Sequence, residues 1–190
     1  EPARRGWPKY LAGEMCETMN GHWGIGFNDF RFKSPAEVIE HLCTCRKVGA
    51  NYLLNVGPTA SGRVPDYETA VLRLLGQWIR RTGEVIYDSR PVETGCEGRD
   101  FVLKGPKAYY YFAFDLSRRG DENVVTPGGG NGLRAIEGLP AKIREARWID
   151  TGERARFTQS KDNVHFVLHC AGYDYGDDLV VRVAELIPAK

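Results

Sequence analysis

The sequence predicts an α/β segment followed by an all-β segment, and three observations carry that reading. Two stretches with helical spacing of apolar residues flank one short apolar run, Tyr52-Leu53-Leu54. From Arg90-Pro91 onward the helical pattern gives way to short β-rich runs separated by turns. Apolar residues make up 42% of the 190 residues, enough for packed cores in one large domain or two modest ones.

In chain order, residues 1–13 read as irregular, with Gly6, Pro8 and Gly13. Gly21 to Phe32 sets Trp23, Phe27, Phe30 and Phe32 among glycines; these aromatics either cover the end of a barrel or present a ring to a ligand. Ser34-Pro35-Ala36-Glu37 is a capping box with proline at the first helical position, so a helix starts there. Val38, Leu42, Cys45 and Val48 share one face of it with Ile39 beside them, and His41 reads as a surface or edge histidine.

Tyr52 to Leu54, held between Asn51 and Asn55 and broken by Gly57-Pro58, reads as a strand buried on both faces. In an α/β barrel, Asn55 and the Gly57 to Pro65 loop would lie at the strand's C-terminal end, where barrel enzymes build their active sites. Asp66 is placed to cap a second helix carrying Val71, Leu72, Leu74, Leu75, Trp78 and Ile79, and Gly83 to stop it. A single such unit cannot cover both faces of its strand, so this half is expected to belong to something larger.

The later runs are Arg99 to Lys104, Lys107 to Leu116, Ala146 to Asp150, Arg154 to Thr158, Val164 to His169 and Leu179 to Ile187. Val180, Arg182, Ala184 and Leu186 alternate with Val181, Val183 and Ile187, the pattern of an antiparallel sandwich. The aromatics of Tyr109 to Phe114 read as core and cross-strand pairs. No strand feeds Gly128 to Gly132 and no lysine or helix start follows, so the glycine run is expected to be a mobile connection, not a phosphate loop.

Lys and Arg (26) nearly cancel Asp and Glu (25), which argues against nucleic acid or an anionic membrane as partner. No apolar run spans a bilayer, and residues 1–20 lack the apolar core of a signal peptide. Cys16, Cys43, Cys45, Cys96 and Cys170 have no framework spacing, which fits a reducing, cytoplasmic setting. Cys43-Thr44-Cys45 brings no second ligand pair, so no metal site is expected there.

Without a Ser, His and Asp arrangement, the chemistry falls to carboxylates near the aromatic loop, Glu14 and Glu17. A carboxyl group set against indole and methyl groups loses hydration of its charged form and becomes a proton donor near neutral pH, as a glycosidase acid must.

Glu14-Met15-Cys16-Glu17-Thr18-Met19-Asn20 with His22-Trp23-Gly24 resembles the Trp-Glu-x-Cys-x-Thr-x-Asn-x-x-Trp-Gly segment of the retaining α-L-fucosidases, glycoside hydrolase family 29. Gly13 stands where that segment has tryptophan. Asn51 to Gly62 and Gly76 to Pro91 are similar to two further blocks of the family.

The resemblance implies that residues 1–91 are the C-terminal part of a (β/α)8-like barrel and residues 92–190 an antiparallel β-sandwich. It implies hydrolysis of terminal α-L-fucose with retention, on α-L-fucosyl glycans, without a cofactor. The nucleophilic aspartate of that family lies upstream of the matched blocks, in a part of the barrel this sequence does not include, so the fragment alone is expected to be inactive. Glu14 is the acid/base candidate, the alternatives being Glu1 and a residue absent from this sequence; Trp23 packs on the sugar methyl and His22 reaches a hydroxyl. Asn51 and Asn55 tie loops to the barrel rim. The rival reading is a non-catalytic carbohydrate-binding or structural sandwich, for which Tyr109, Tyr110, Tyr111, Tyr173 and Tyr175 are available.

Overall fold

The computed structural model describes residues 13–26, 28, 31–83, 85–116, 118–119, 132–170, 172–174 and 180–189. Phe27, Phe30, Glu1 and the glycine run before Gly132 lie outside them, as do the side chains of Tyr173 and Tyr175. The chain forms two compact units, Glu1–Arg80 and Arg81–Lys190.

The first unit contains β1 (Glu14–Thr18), α1 (Pro35–Lys47), β2 (Asn51–Asn55) and most of α2 (Asp66–Arg81). Ser34 opens α1 as expected: its hydroxyl accepts from the Glu37 amide at 3.2 Å, and the Glu37 carboxylate accepts from the Ser34 amide at 2.7 Å. The buried face of α1 is Val38, Ile39, Cys43 and Cys45, so Cys43 takes the place expected for Leu42. Burial pushes the Cys45 thiol up to about 11 and Cys43 upward as well, which keeps both protonated and inert. Before α2, the Pro65 carbonyl accepts the first helical bond from Thr69 at 2.9 Å, leaving Asp66 in the first turn. Gly83 follows α2 at φ 67°, the left-handed stop expected of it.

β1 and β2 pair in parallel, Glu14 opposite Asn51 and Thr18 opposite Asn55. Alternation then sorts the side chains. Tyr52 and Leu54 pack with Val56 and Leu75 around a small core of Met19, Val38 and Val71. The other face carries Glu14, Cys16 and Thr18 beside Asn51, Leu53 and Asn55. Leu53 is 48% exposed there, so β2 is buried on one face and not on two. The helices cover one side of a two-stranded sheet, and nothing among the described residues covers the other. Leu72 and Leu74, two of the apolar residues carried by α2, are also exposed.

The second unit adds α3 (Val85–Asp88), β3 (Arg90–Pro91), β4 (Gly95–Cys96), β5 (Phe101–Lys104), β6 (Tyr109–Ala113) and β7 (Arg118–Arg119). It continues with β8 (Gly132–Glu137), β9 (Ile143–Trp148), β10 (Phe157–Gln159), β11 (His165–Cys170), β12 (Tyr173–Asp174) and β13 (Arg182–Pro188). Two antiparallel sheets result, in the orders β3-β5-β6-β13-β9 and β10-β11-β8-β4, with β7 and β12 as a separate short parallel pair. Arg90 and Pro91 pair with Lys104 and Leu103, within the unit Arg81–Lys190.

Both sheets contribute to one core: Val102, Tyr111, Trp148 and Leu186 from the five-stranded sheet meet Ile136, Phe166 and Leu168 from the four-stranded one. Tyr109, Tyr111, Phe112 and Phe114 are all buried, and Phe112 stacks on its cross-strand partner Phe101 at 4.5 Å. Arg182, 1% exposed, donates to the Asp150 carboxylate at 3.1 Å and the Gly172 carbonyl at 2.7 Å, and lies 4.3 Å over the Trp148 ring. A buried cation is stable only when paired in this way.

Candidate functional site

The C-terminal end of the β1–β2 pair carries the loop from Thr18 to Ile25. Its course is fixed by side chains bonding to main chain. The Asn20 amide donates to the Gly24 carbonyl at 2.8 Å, and the Asn55 amide to the Trp23 carbonyl at 3.0 Å. The Thr18 hydroxyl lies 2.7 Å from the His22 carbonyl and 2.6 Å from Asn20 Oδ1. Main-chain bonds from Met19 to Asn55 (2.9 Å) and from Lys33 to Met19 (2.7 Å) close the base.

Gly57 lets this loop sit against the end of β2. A Cβ there would come within 2.9 Å of Asn20 Nδ2 and 3.0 Å of the Gly24 carbonyl carbon. Its amide donates to the fully buried carboxylate of Glu68 on α2 at 3.0 Å, so a side chain one helix away holds the turn.

Held in this way, the loop presents Trp23 to solvent with 63% of its surface exposed, and His22 is exposed beside it. An indole in a hydrogen-bonded loop at the C-terminal end of parallel strands, and free of the core, can offer its face to the apolar side of a sugar. Asn55 ties the loop as expected. Asn51 does not: its amide donates to the Glu14 carboxylate at 2.7 Å, side chain to side chain.

Glu14 and the loop that carries Trp23 lie at opposite ends of β1. Glu14 opens β1, while the Trp23 loop follows its close, and the four intervening residue steps put about 13 Å of strand between them. The Glu14 carboxylate is exposed and bonded to Asn51, not set against an indole.

Glu17 points the other way, toward the helices. It accepts from the Tyr52 hydroxyl, stands 2.7 Å from His41 Nδ1 and pairs with Lys33 at 3.5 Å. Burial works to raise its pKa, but the bonds from Tyr52 and His41 and the charges of His41 and Lys33 outweigh burial and hold it below the ordinary carboxylate value. His41, expected at a surface or edge, is therefore a partner of a half-buried carboxylate. Lys33 also donates to the Thr18 carbonyl at 2.6 Å, which links this cluster to the base of the loop. The roles of Thr18, Asn20, Gly57 and Glu68 were not read from the sequence; the spacings Thr18-x-Asn20 and Asn55-x-Gly57 were the available signal.

Among the described residues no group of three or more His, Cys, Asp or Glu side chains converges as a metal site, and no helix is long and apolar enough to cross a membrane.

The alpha-L-fucosidase family model matches residues 7–84. The tissue alpha-L-fucosidase of Mus musculus is 38% identical over 94 residues, covering 47% of this chain and 21% of that protein. The alpha-L-fucosidase of Dictyostelium discoideum is 32% identical over 82 residues, 41% of this chain and 17% of that protein. Among solved structures, alpha-L-fucosidase isoenzyme 1 from Paenibacillus thiaminolyticus superposes with a TM-score of 0.74 at 27% identity, covering 95% of this chain and 40% of that one. The Thermotoga maritima alpha-fucosidase superposes at 0.68 with 22% identity over 92% of this chain, a likeness of fold. The chain thus spans about a fifth of the length of the curated relatives and about two-fifths of the solved ones.

Proposed function

We propose that the chain, whose residues 7–84 match the alpha-L-fucosidase family model, forms the C-terminal part of a retaining exo-α-L-fucosidase. In this reading β1, β2 and their helices are the last portion of a (β/α)8-like catalytic barrel, and the two antiparallel sheets are a supporting β-sandwich. The substrate is a terminal α-L-fucosyl group of a glycan or glycoside.

One observation carries the proposal: the exposed Trp23 ring at the C-terminal end of the parallel strands, with Asn55 and Asn20 fixing the main chain on either side. Its role is to pack on the C5 methyl of fucose, an apolar contact that galactose lacks, while His22 reaches a ring hydroxyl. Losing a contact of that kind costs roughly 1–3 kcal/mol.

Retention requires a nucleophile and an acid/base about 5–5.5 Å apart. On the face of β1 and β2 away from the helices, Glu14 is the one carboxylate, at the end remote from Trp23. We therefore assign Glu14 to a hydrogen bond with Asn51 inside the barrel. Both catalytic carboxylates come from segments outside the described residues.

A chimera tests this. Residues 13–83 replace the equivalent stretch of the Paenibacillus enzyme, and turnover of an aryl α-L-fucoside is measured. Retained turnover, with KM raised tenfold or more by Trp23→Ala, is the expected result. A folded chimera without activity, or one indifferent to Trp23→Ala, overturns the reading. So does turnover by the 190-residue chain alone.

A further inference from the structure

The second unit contains a cavity of about 360 Å³ lined by Tyr87, Asp88, Lys107, Tyr110 and Glu185, with Gly83 and Val85 at its wall. That volume falls at the small end of ligand pockets, roughly 300–1,000 Å³. The Trp23 loop contributes nothing to it. We propose that this cavity binds one residue of a neutral saccharide, an inference that does not rest on the fucosidase assignment.

Its two aromatic rings differ in how they are held. Tyr87 is 64% exposed, with its ring open to solvent. Tyr110 is half-buried and fixed from behind: a Cβ at Gly105 would lie 2.5 Å from its Cε2, so only glycine fits beneath the ring. A fixed aromatic face is what the apolar side of a pyranose stacks on, because little side-chain freedom remains to be lost on binding.

The polar groups complete the pattern. Among the described residues neither Asp88, Lys107 nor the hydroxyls of Tyr87 and Tyr110 makes a hydrogen bond or ion pair, so donors and acceptors stand open around one cavity. Glu185 commits one oxygen, Oε2, to Arg147 at 2.7 Å. The lining carries Asp88, Glu185 and Lys107, and Arg147 pairs with Glu185 from outside it, so the cavity has no excess of positive charge. Sulfated or uronic sugars gain no attraction from it, whereas the hydroxyls of a neutral sugar find both acceptors and donors.

Nuclear magnetic resonance titration of the 190-residue chain decides the matter. The probes are methyl α-L-fucopyranoside, methyl β-D-galactopyranoside and methyl β-D-glucopyranoside, raised to tens of millimolar, with methyl glucuronoside as the anionic control. At least one neutral glycoside is expected to shift the amides of 85–88 and 107–110. Tyr87→Ala, on an exposed ring, and Gly105→Ala, which displaces Tyr110, are each expected to weaken that binding tenfold or more, while Trp23→Ala leaves it unchanged. Overturning results are no shift at these amides with any neutral probe, binding that survives Tyr87→Ala, a preference for the anionic control, or shifts that vanish with Trp23→Ala. Thermal unfolding of Tyr87→Ala at the parent temperature establishes that its effect is local.

Discussion

The side-chain amide of Asn55, the last residue of β2, donates to the main-chain carbonyl of Trp23 at 3.0 Å. A strand end thereby sets the position of a loop more than thirty residues earlier, and the indole acquires a defined place without being packed into a core.

Asn55→Ala removes that donor and frees the loop. One hydrogen bond of this kind is worth about 0.5–1.5 kcal/mol, so in the active chimera KM for an aryl α-L-fucoside should rise about two- to tenfold with kcat little changed. Steady-state kinetics checks the split; an effect confined to kcat would argue against a positioning role.

Gly57→Ala forces a Cβ to within 3.0 Å of the Gly24 carbonyl carbon and 3.1 Å of the Ile25 amide nitrogen, main-chain atoms that cannot rotate away. Overpacking of this kind typically costs about 1–3 kcal/mol. Urea unfolding followed by Trp fluorescence should show the first transition moved to lower denaturant by that amount.

Glu17 supplies the pH dependence. Its folded pKa lies below the ordinary 4.5, so the folded state binds this proton less tightly than the unfolded chain does. The contribution to stability is then fully present above the ordinary value and is lost as pH falls through the lowered folded value. Glu17→Gln should cost about 1–3 kcal/mol at neutral pH, the worth of hydrogen bonds to a charged group. It should also flatten the fall in urea midpoint expected of the parent as pH drops below the ordinary value of 4.5.

Glu14→Gln keeps the bond from Asn51 through its carbonyl oxygen, and Glu14 lies at the end of β1 remote from Trp23. In the chimera it should slow activated aryl fucosides and substrates with poor leaving groups by the same small factor, under threefold. Selective loss on poor leaving groups, the mark of a missing general acid, would restore Glu14 to that role.

The features legible in the sequence were those fixed locally. The capping box at Ser34 and Glu37 and the stop at Gly83 depend on residues a turn apart, and both stand as read. The antiparallel strands from Phe101 onward followed from alternation and aromatic content. β8 was missed because a glycine run leads into it, and β1 because Glu14-Met15-Cys16-Glu17-Thr18 has weak strand preference. Its extended state is set by pairing with β2, a partner more than thirty residues away.

Cover was the other thing residue type alone could not tell. Leu53, Leu72 and Leu74 are as apolar as Leu54 and Leu75, yet they face outward, because exposure depends on which neighbour is present. The site shows the same division. Trp23 stood out as an aromatic among glycines, and the structure leaves it exposed. Eight residues separate Glu14 from Trp23, and four of them, Met15 to Thr18, belong to the extended strand β1.

The two-stranded β1–β2 sheet has a further consequence. Among the described residues neither strand has a second neighbour, and Leu53 lies bare on the uncovered face. An unpaired strand edge beside an apolar face is a template for strand addition, so copies of the chain are expected to associate as concentration rises. Light scattering should register clustering that Leu53→Lys reduces.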